Sequence, residues 1–134
     1  MRSSLNAFLI ITSLASASTL ASAQAHAQQN IAMKNGESLE LGNVWWVINC
    51  RSIMVGLPEV EILEGPPGLT LSIKEAMVLP RRLNCARQVP GGILVATAKD
   101  VTDPVQGRLV YRIKYKTKDG DRQLSSTYGV SLFP

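Results

Sequence analysis

Residues 108–133 read RLVYRIKYKTKDGDRQLSSTYGVSLF, with Leu109, Tyr111, Ile113 and Tyr115 before Asp119-Gly120 and Leu124, Tyr128, Val130 and Leu132 after it, all spaced by multiples of two within each arm. Alternation of period two marks a strand with one wet face, and Asp-Gly is a strong two-residue turn signal because glycine tolerates positive φ. A turn at Asp119-Gly120 sets Tyr115 opposite Leu124, Tyr111 opposite Tyr128 and Leu109 opposite Val130. On the other face it sets Lys118 opposite Asp121, Lys116 opposite Gln123 and Arg112 opposite Thr127. All the apolar residues then share one side, whereas a slip of one residue would turn one arm inside out. A two-stranded ribbon is barely stable alone, so the rest of the chain is expected to supply a second layer.

Upstream of the hairpin, turn signals recur at strand-sized intervals. Leu39, Leu41 and Val44-Trp45-Trp46-Val47-Ile48 predict one or two strands with a bend or bulge at Gly42-Asn43, and so apolar a run fits a strand covered on both sides or central in a sheet. Val60 and Ile62 alternate with Glu59 and Glu61, and Leu69, Leu71 and Ile73 alternate with Thr70, Ser72 and Lys74. Between these two strands stands the loop Gly65-Pro66-Pro67-Gly68. Ala76–Leu79 reads either as more strand or as a brief helical turn ended by Pro80. Residues 81–88 read as a loop closed by a turn at Pro90-Gly91-Gly92, and Ile93–Ala98 as a strand of small residues. No amphipathic helical pattern lasts three turns. An all-β antiparallel sandwich or small barrel is expected.

The N-terminus has a different character. Met1-Arg2, the apolar Ala7-Phe8-Leu9-Ile10-Ile11 and the small-residue steps Ala21-Ser22-Ala23 and Ala25-His26-Ala27 compose a secretory signal peptide. Cleavage is expected after Ala23 or, preferably, after Ala27. The resulting organisation is a signal peptide over residues 1–27, a flexible polar lead-in over 28–36 and one β domain over 37–134, in the periplasm or secreted. The mature chain, a little over a hundred residues, suffices for one core. The only two cysteines, Cys50 and Cys85, both lie in it. In an oxidising compartment such a pair is expected to form a disulfide. The alternative is a reactive thiol at Cys85, whose thiolate Arg81, Arg82 and Arg87 would favour.

Formal charge is +4, and about +3 once Arg2 is lost with the leader. A surplus of that size favours acidic glycans or lipid head groups as neighbours and is too small to point to nucleic acid. Catalytic groups are scarce. His26, the only histidine, leaves with the leader if cleavage follows Ala27, and with it goes the commonest general base and metal ligand. Glu59 and Glu61 share a strand face, as an acid pair or oxygen-rich metal site requires, but strict alternation favours a solvated face. Asp100 and Asp103 near a loop read more simply as turn formers than as calcium ligands. Gly65–Gly68 lacks the lysine and helix of a phosphate loop. No catalytic residue, metal site or cofactor is assigned, and an enzyme is not expected.

Two features are candidate binding surfaces. Arg112, Lys114, Lys116 and Lys118, with Arg108 nearby, form a ladder on one exposed face; it reads either as protection of an outer strand against edge pairing or as a strip for acidic glycan or lipid head groups. Adjacent strand residues point to opposite faces, so one of Trp45 and Trp46 is expected over the core and the other is free to meet a sugar ring or a partner protein.

Leu109-x-Tyr111-x-Ile113-x-Tyr115, then Asp119-Gly120, then Val130-x-Leu132, resembles the last two strands of immunoglobulin-like and fibronectin type III-like domains, including those of bacterial exported proteins. The resemblance implies two antiparallel sheets packed face to face. It extends to architecture only, because Trp45 and Trp46 precede Cys50, and the step from Cys50 to Cys85 is short for the usual inter-sheet bridge. Such an analogy transfers no function. The expectation is therefore an exported, non-catalytic binding or structural module of the cell envelope with a protein partner; the alternative is a glycan- or anionic-lipid-binding domain.

Overall fold

A computed structural model describes residues 29–134, so the expected leader and its expected cleavage sites lie outside the described residues. The described chain is all-β apart from a single 3-10 turn at Arg81–Leu83. Its strands are β1 (Asn30–Lys34), β2 (Ser38–Val44), β3 (Val47–Ile48), β4 (Arg51–Ser52), β5 (Glu59–Glu64), β6 (Leu69–Val78), β7 (Val89–Ala98), β8 (Val105–Thr117) and β9 (Gly120–Phe133). One sheet runs β1-β9-β8-β5, a second runs β2-β7-β6, and β3 and β4 make a small separate ribbon. Both larger sheets feed a single core, which includes Leu94, Ala96 and Ala98 from β7, Leu109, Tyr111, Ile113 and Tyr115 from β8, and Val130 and Leu132 from β9. The first sheet is mixed, since β1 lies parallel to β9 and the remaining pairs are antiparallel.

The terminal hairpin forms with the expected faces in a different register. Tyr115 lies opposite Arg122, Tyr111 opposite Ser126 and Leu109 opposite Tyr128, a displacement of two residues from the alignment expected. The chain reverses over Lys118 and Asp119, because the Thr117 hydroxyl accepts from the Asp119 N–H (3.2 Å) and donates to the Gly120 carbonyl (2.6 Å). Gly120 supplies its positive φ, +110°, as the first residue of the returning strand. Because the displacement is even, every side chain keeps its face.

Three further expectations are corrected. Residues 28–36, read as a lead-in, contain β1, whose Met33 is only 1% exposed and among the deepest side chains. A strand with just two inward residues, Ile31 and Met33, is too short for its periodicity to register. The run Val44–Ile48 is not one covered strand: β2 is an edge strand that ends at Val44, with a bulge between Glu40 and Gly42. The chain then crosses between sheets. Trp45-Trp46 leads into the β3–β4 ribbon, whose turn residues Asn49 and Cys50 both have positive φ, and Met54 bridges to Thr117 at the end of β8. The carbonyl of Lys116 accepts from the Val55 N–H at 2.7 Å, which fixes that landing.

Pro90-Gly91-Gly92, read as a turn, belongs to β7, which starts at Val89. Here the glycines serve close approach. A Cβ on Gly91 would lie 2.5 Å from the Val44 carbonyl oxygen and 2.6 Å from a Val78 methyl; one on Gly92 would lie 2.6 Å from an Ile73 methyl. Ala76–Val78, left open above, is strand, paired with Val89–Gly91. Cys50 and Cys85 form a disulfide across 35 residues, tying the β3–β4 turn to the loop between β6 and β7. Cys85 is therefore no reactive thiol.

Two stability predictions follow from this packing. Gly91→Ala is expected to destabilise the fold by about 3 kcal/mol, the upper range for overpacking, because its nearest obstacle is backbone that cannot swing away. Replacing both cysteines by serine is expected to remove about 3–4 kcal/mol on the loop-entropy argument. Urea unfolding of each variant checks both; a loss below about 0.5 kcal/mol in either would contradict the corresponding account.

Candidate functional site

The basic ladder occupies a different setting from the one expected. Arg108, Arg112, Lys114 and Lys116 do alternate along the outer face of β8, with Lys118 in the turn. But β8 lies between β9 and β5 and is not an outer strand, so guarding an edge is not its task. Register places Glu59 opposite Lys114 and Glu61 opposite Arg112 on β5, and Asp121 opposite Lys116 on β9. Two contacts close: Lys114 Nζ reaches Glu61 at 2.8 Å and Arg108 reaches Glu64 at 3.1 Å. The hydrogen bond from Lys114, followed by its charge, holds the Glu61 carboxyl below the usual carboxylate range. A hollow of about 610 Å³ holds Glu59 and Asp121 beside Lys114, Lys116 and Arg122. The face is a mixed-charge lattice, not a bare cationic strip.

The tryptophans also depart from the expected split. Lying between strands, they escape the up-down rule, and both are half-buried. Trp46 packs on the core with its ring 5.1 Å from that of Tyr115, tilted by 57°. Trp45 lines a cleft of about 730 Å³ between the inner faces of the two larger sheets.

That cleft brings together residues from both larger sheets. One wall is the inward face of β8 and β9, where Tyr111 and Tyr128 stack at 5.9 Å and 18°. The other is the edge of β2 with Trp45 and Trp46, and the Tyr128 hydroxyl ties the walls together by donating to the Leu41 carbonyl at 3.4 Å. Arg81 and Arg82 line it, and among the described residues no acidic residue, histidine or cysteine does. Burial pushes the Tyr111 phenol up to about 12, against a smaller opposing effect of its hydrogen bond with Ser126; burial likewise raises Tyr115 to about 12. These phenols stay protonated at neutral pH. The cleft thus offers aromatic faces, hydroxyl groups and two cations, groups suited to binding. Among the described residues no group of three or more potential metal ligands is assembled.

Sequence reasoning placed Trp45 and Trp46 at a candidate site but assigned Tyr111 and Tyr128 wholly to the core and Arg81 and Arg82 to a loop. Their convergence depends on how far each strand is covered by its neighbour, which no local pattern encodes. No protein-family model matches the chain, and no curated protein or solved structure matches it.

The raised phenols carry a pH prediction. A group that holds its proton more tightly when folded stabilises the fold fully below its unfolded value, near 10, and loses that contribution as pH rises through 12. Stability is therefore expected to fall between pH 10 and 12, with absorbance at 295 nm from Tyr111 and Tyr115 rising only in step with unfolding. Ionisation of both near pH 10 in the folded protein would contradict their burial.

Proposed function

We propose that this protein is an exported, non-catalytic binding module of the cell envelope, built as an immunoglobulin-like β-sandwich, whose partner is a protein. Architectural support comes from the strand orders β1-β9-β8-β5 and β2-β7-β6 around a common core. The parallel pairing of the first strand with the last and the sheet-to-sheet crossing at Gly65–Gly68 agree with that reading. Export is supported by the leader-like residues 1–27 and by a disulfide that oxidising surroundings preserve.

The observation that carries the functional reading is the cleft walled by Trp45, Trp46, Tyr111 and Tyr128, because the half-buried Trp45, Trp46 and Tyr128, with Arg81 and Arg82 beside them, are the side-chain types on which protein recognition concentrates its energy. The alternative, acidic glycan or lipid head groups on Arg108, Arg112, Lys114, Lys116 and Lys118, is disfavoured by the carboxylates interleaved with them.

Substituting a photo-crosslinking amino acid for Trp45 in cells is expected to trap a discrete protein partner in the envelope fraction. The same substitution at Lys114 is expected to trap none, and Lys114→Glu with Lys116→Glu should leave the Trp45 product unchanged. Crosslinks only to lipid or glycan, or salt-sensitive binding abolished by the charge reversal, would replace this reading with the alternative.

A further inference from the structure

The two strands at one edge of the larger sheet differ greatly in length. β9 runs for 14 residues, but β1 has five and pairs only with Gly129–Phe133. The last bond of that ladder runs from the Gly129 N–H to the Gln29 carbonyl, at 2.9 Å. Among the described residues, no strand pairs with the outer side of residues 120–128. In an antiparallel ladder alternate residues direct their backbone groups to opposite neighbours, and Gly129 faces β1. By that alternation the N–H groups of Asp121, Gln123, Ser125 and Thr127 point away from β8, as do the carbonyls of the last three.

Elsewhere, exposed edges carry familiar guards. β5 has Glu59, Glu61 and Glu64 and a bulge between Ile62 and Glu64; β2 has Glu40 and a bulge; β6 has Lys74 and Glu75. From Gln123 to Tyr128 the edge of β9 reads QLSSTY, with no charge, proline or bulge. Its inward side chains Leu124, Ser126 and Tyr128 form the floor of the aromatic cleft, where Leu124 remains 51% exposed. An open ladder and an open cleft therefore coincide: a strand added to β9 would project every second side chain between the sheets.

We propose that this edge takes an extended segment of the partner protein by β-strand addition, running antiparallel to β9, with apolar side chains at alternate positions entering the cleft and an acidic group at its C-terminal end. The inference rests on the protein-binding reading and specifies its site. Antiparallel pairing is the more stable choice, and charge fixes the end. Arg81 and Arg82 follow β6, whose Val78 pairs with Val89, at the end of the second sheet where Val44 pairs with Gly92. That is the end of the cleft remote from β1, toward which the C-terminus of an antiparallel guest points. Among the described residues neither arginine makes an ion pair, and no acid lines the cleft to compete. A terminal carboxylate or an Asp or Glu side chain complements them.

The test uses protein purified after export and an acetylated eight-residue peptide of alternating valine and threonine with a free C-terminal carboxylate, alongside its C-terminal amide. Amide exchange at Gln123, Ser125 and Thr127 is expected to slow at least about tenfold when the carboxylate peptide is bound. Ser125→Pro removes an outward N–H without touching the β8 ladder, so it should leave the melting temperature in place and weaken binding at least about tenfold. Arg81→Glu with Arg82→Glu should weaken the carboxylate peptide about fivefold and the amide peptide less.

Equal binding by Ser125→Pro, or no slowing at the three amides, overturns the proposal. If those amides are already protected only in chain that retains residues 1–27, the occupant is the chain's own N-terminal segment; if protection grows with protein concentration alongside a dimer in sedimentation, it is a second copy. Either result also overturns the proposal. A protein trapped at Trp45 together with a failed peptide test removes this site and leaves the protein-binding reading standing, whereas failure of both removes the two together.

Discussion

The contact between the large inward side chains of β8 and the small ones of β7 is the constraint from which the remaining arrangement follows. Leu109, Tyr111, Ile113 and Tyr115 project from one sheet, and Leu94, Ala96 and Ala98 receive them from the other. Burying each large side chain contributes roughly 1.5–3 kcal/mol relative to exposure. Ala96 and Ala98 on β7 let its sheet approach closely, and Gly91 and Gly92 carry that economy of volume to the strand's other end, where Val44, Val78 and Ile73 close in. Past Gly91, next to Trp45, facing side chains no longer fill the space between the sheets. The cleft opens there, and the disulfide fastens the β3–β4 turn to the loop beyond β6.

Periodicity made the faces of the long strands legible, and the structure shows why it did not reach the register. Whether Leu109 meets Val130 or Tyr128 changes no side chain's environment class, since both alignments keep apolar residues inward. The register observed is the one in which the Thr117 hydroxyl bonds around the turn. Gly91-Gly92 misled for a related reason: the pair is equally apt for reversal and for crowding, and only the position of the Val44 backbone distinguishes them. The run from Val44 to Ile48 was apolar as expected, but its hydrophobicity serves a crossing between sheets. Trp45, Trp46 and Val47 are only half-buried in that crossing, yet its composition is that of a covered strand.

Charge reading failed more instructively. The acids of β5 were read as a solvated face and the cations of β8 as an edge guard or an anion-binding strip, each apart from the other. Pairing sets Glu61 opposite Arg112 and Glu59 opposite Lys114, and Glu61 closes on Lys114, which turns two candidate sites into one neutralising surface. Exposed pairs of this kind add little to stability, commonly below about 1 kcal/mol each. Their consequence lies in what the surface no longer attracts. Which strand neighbours which was the missing information, and in an all-β chain neighbours are set by connections that skip across sheets.

The gradient along β9 links these levels. From Val130 onward its inward side chains are buried and β1 covers its edge; from Gly120 to Thr127 every residue is exposed. An exposed strand edge normally invites unwanted pairing, and the hazard is usually suppressed with lysine, proline or a bulge. Such residues are present on the neighbouring edges and absent from Gln123–Tyr128, although a single lysine there would leave the β8 ladder intact. Nothing in the packing requires this stretch to be uncharged, since its outward side chains at Gln123, Ser125 and Thr127 face solvent. Its neutrality has no use in the isolated fold and an immediate one in a fold completed by a further strand, whose backbone needs a straight and uncharged neighbour to pair with.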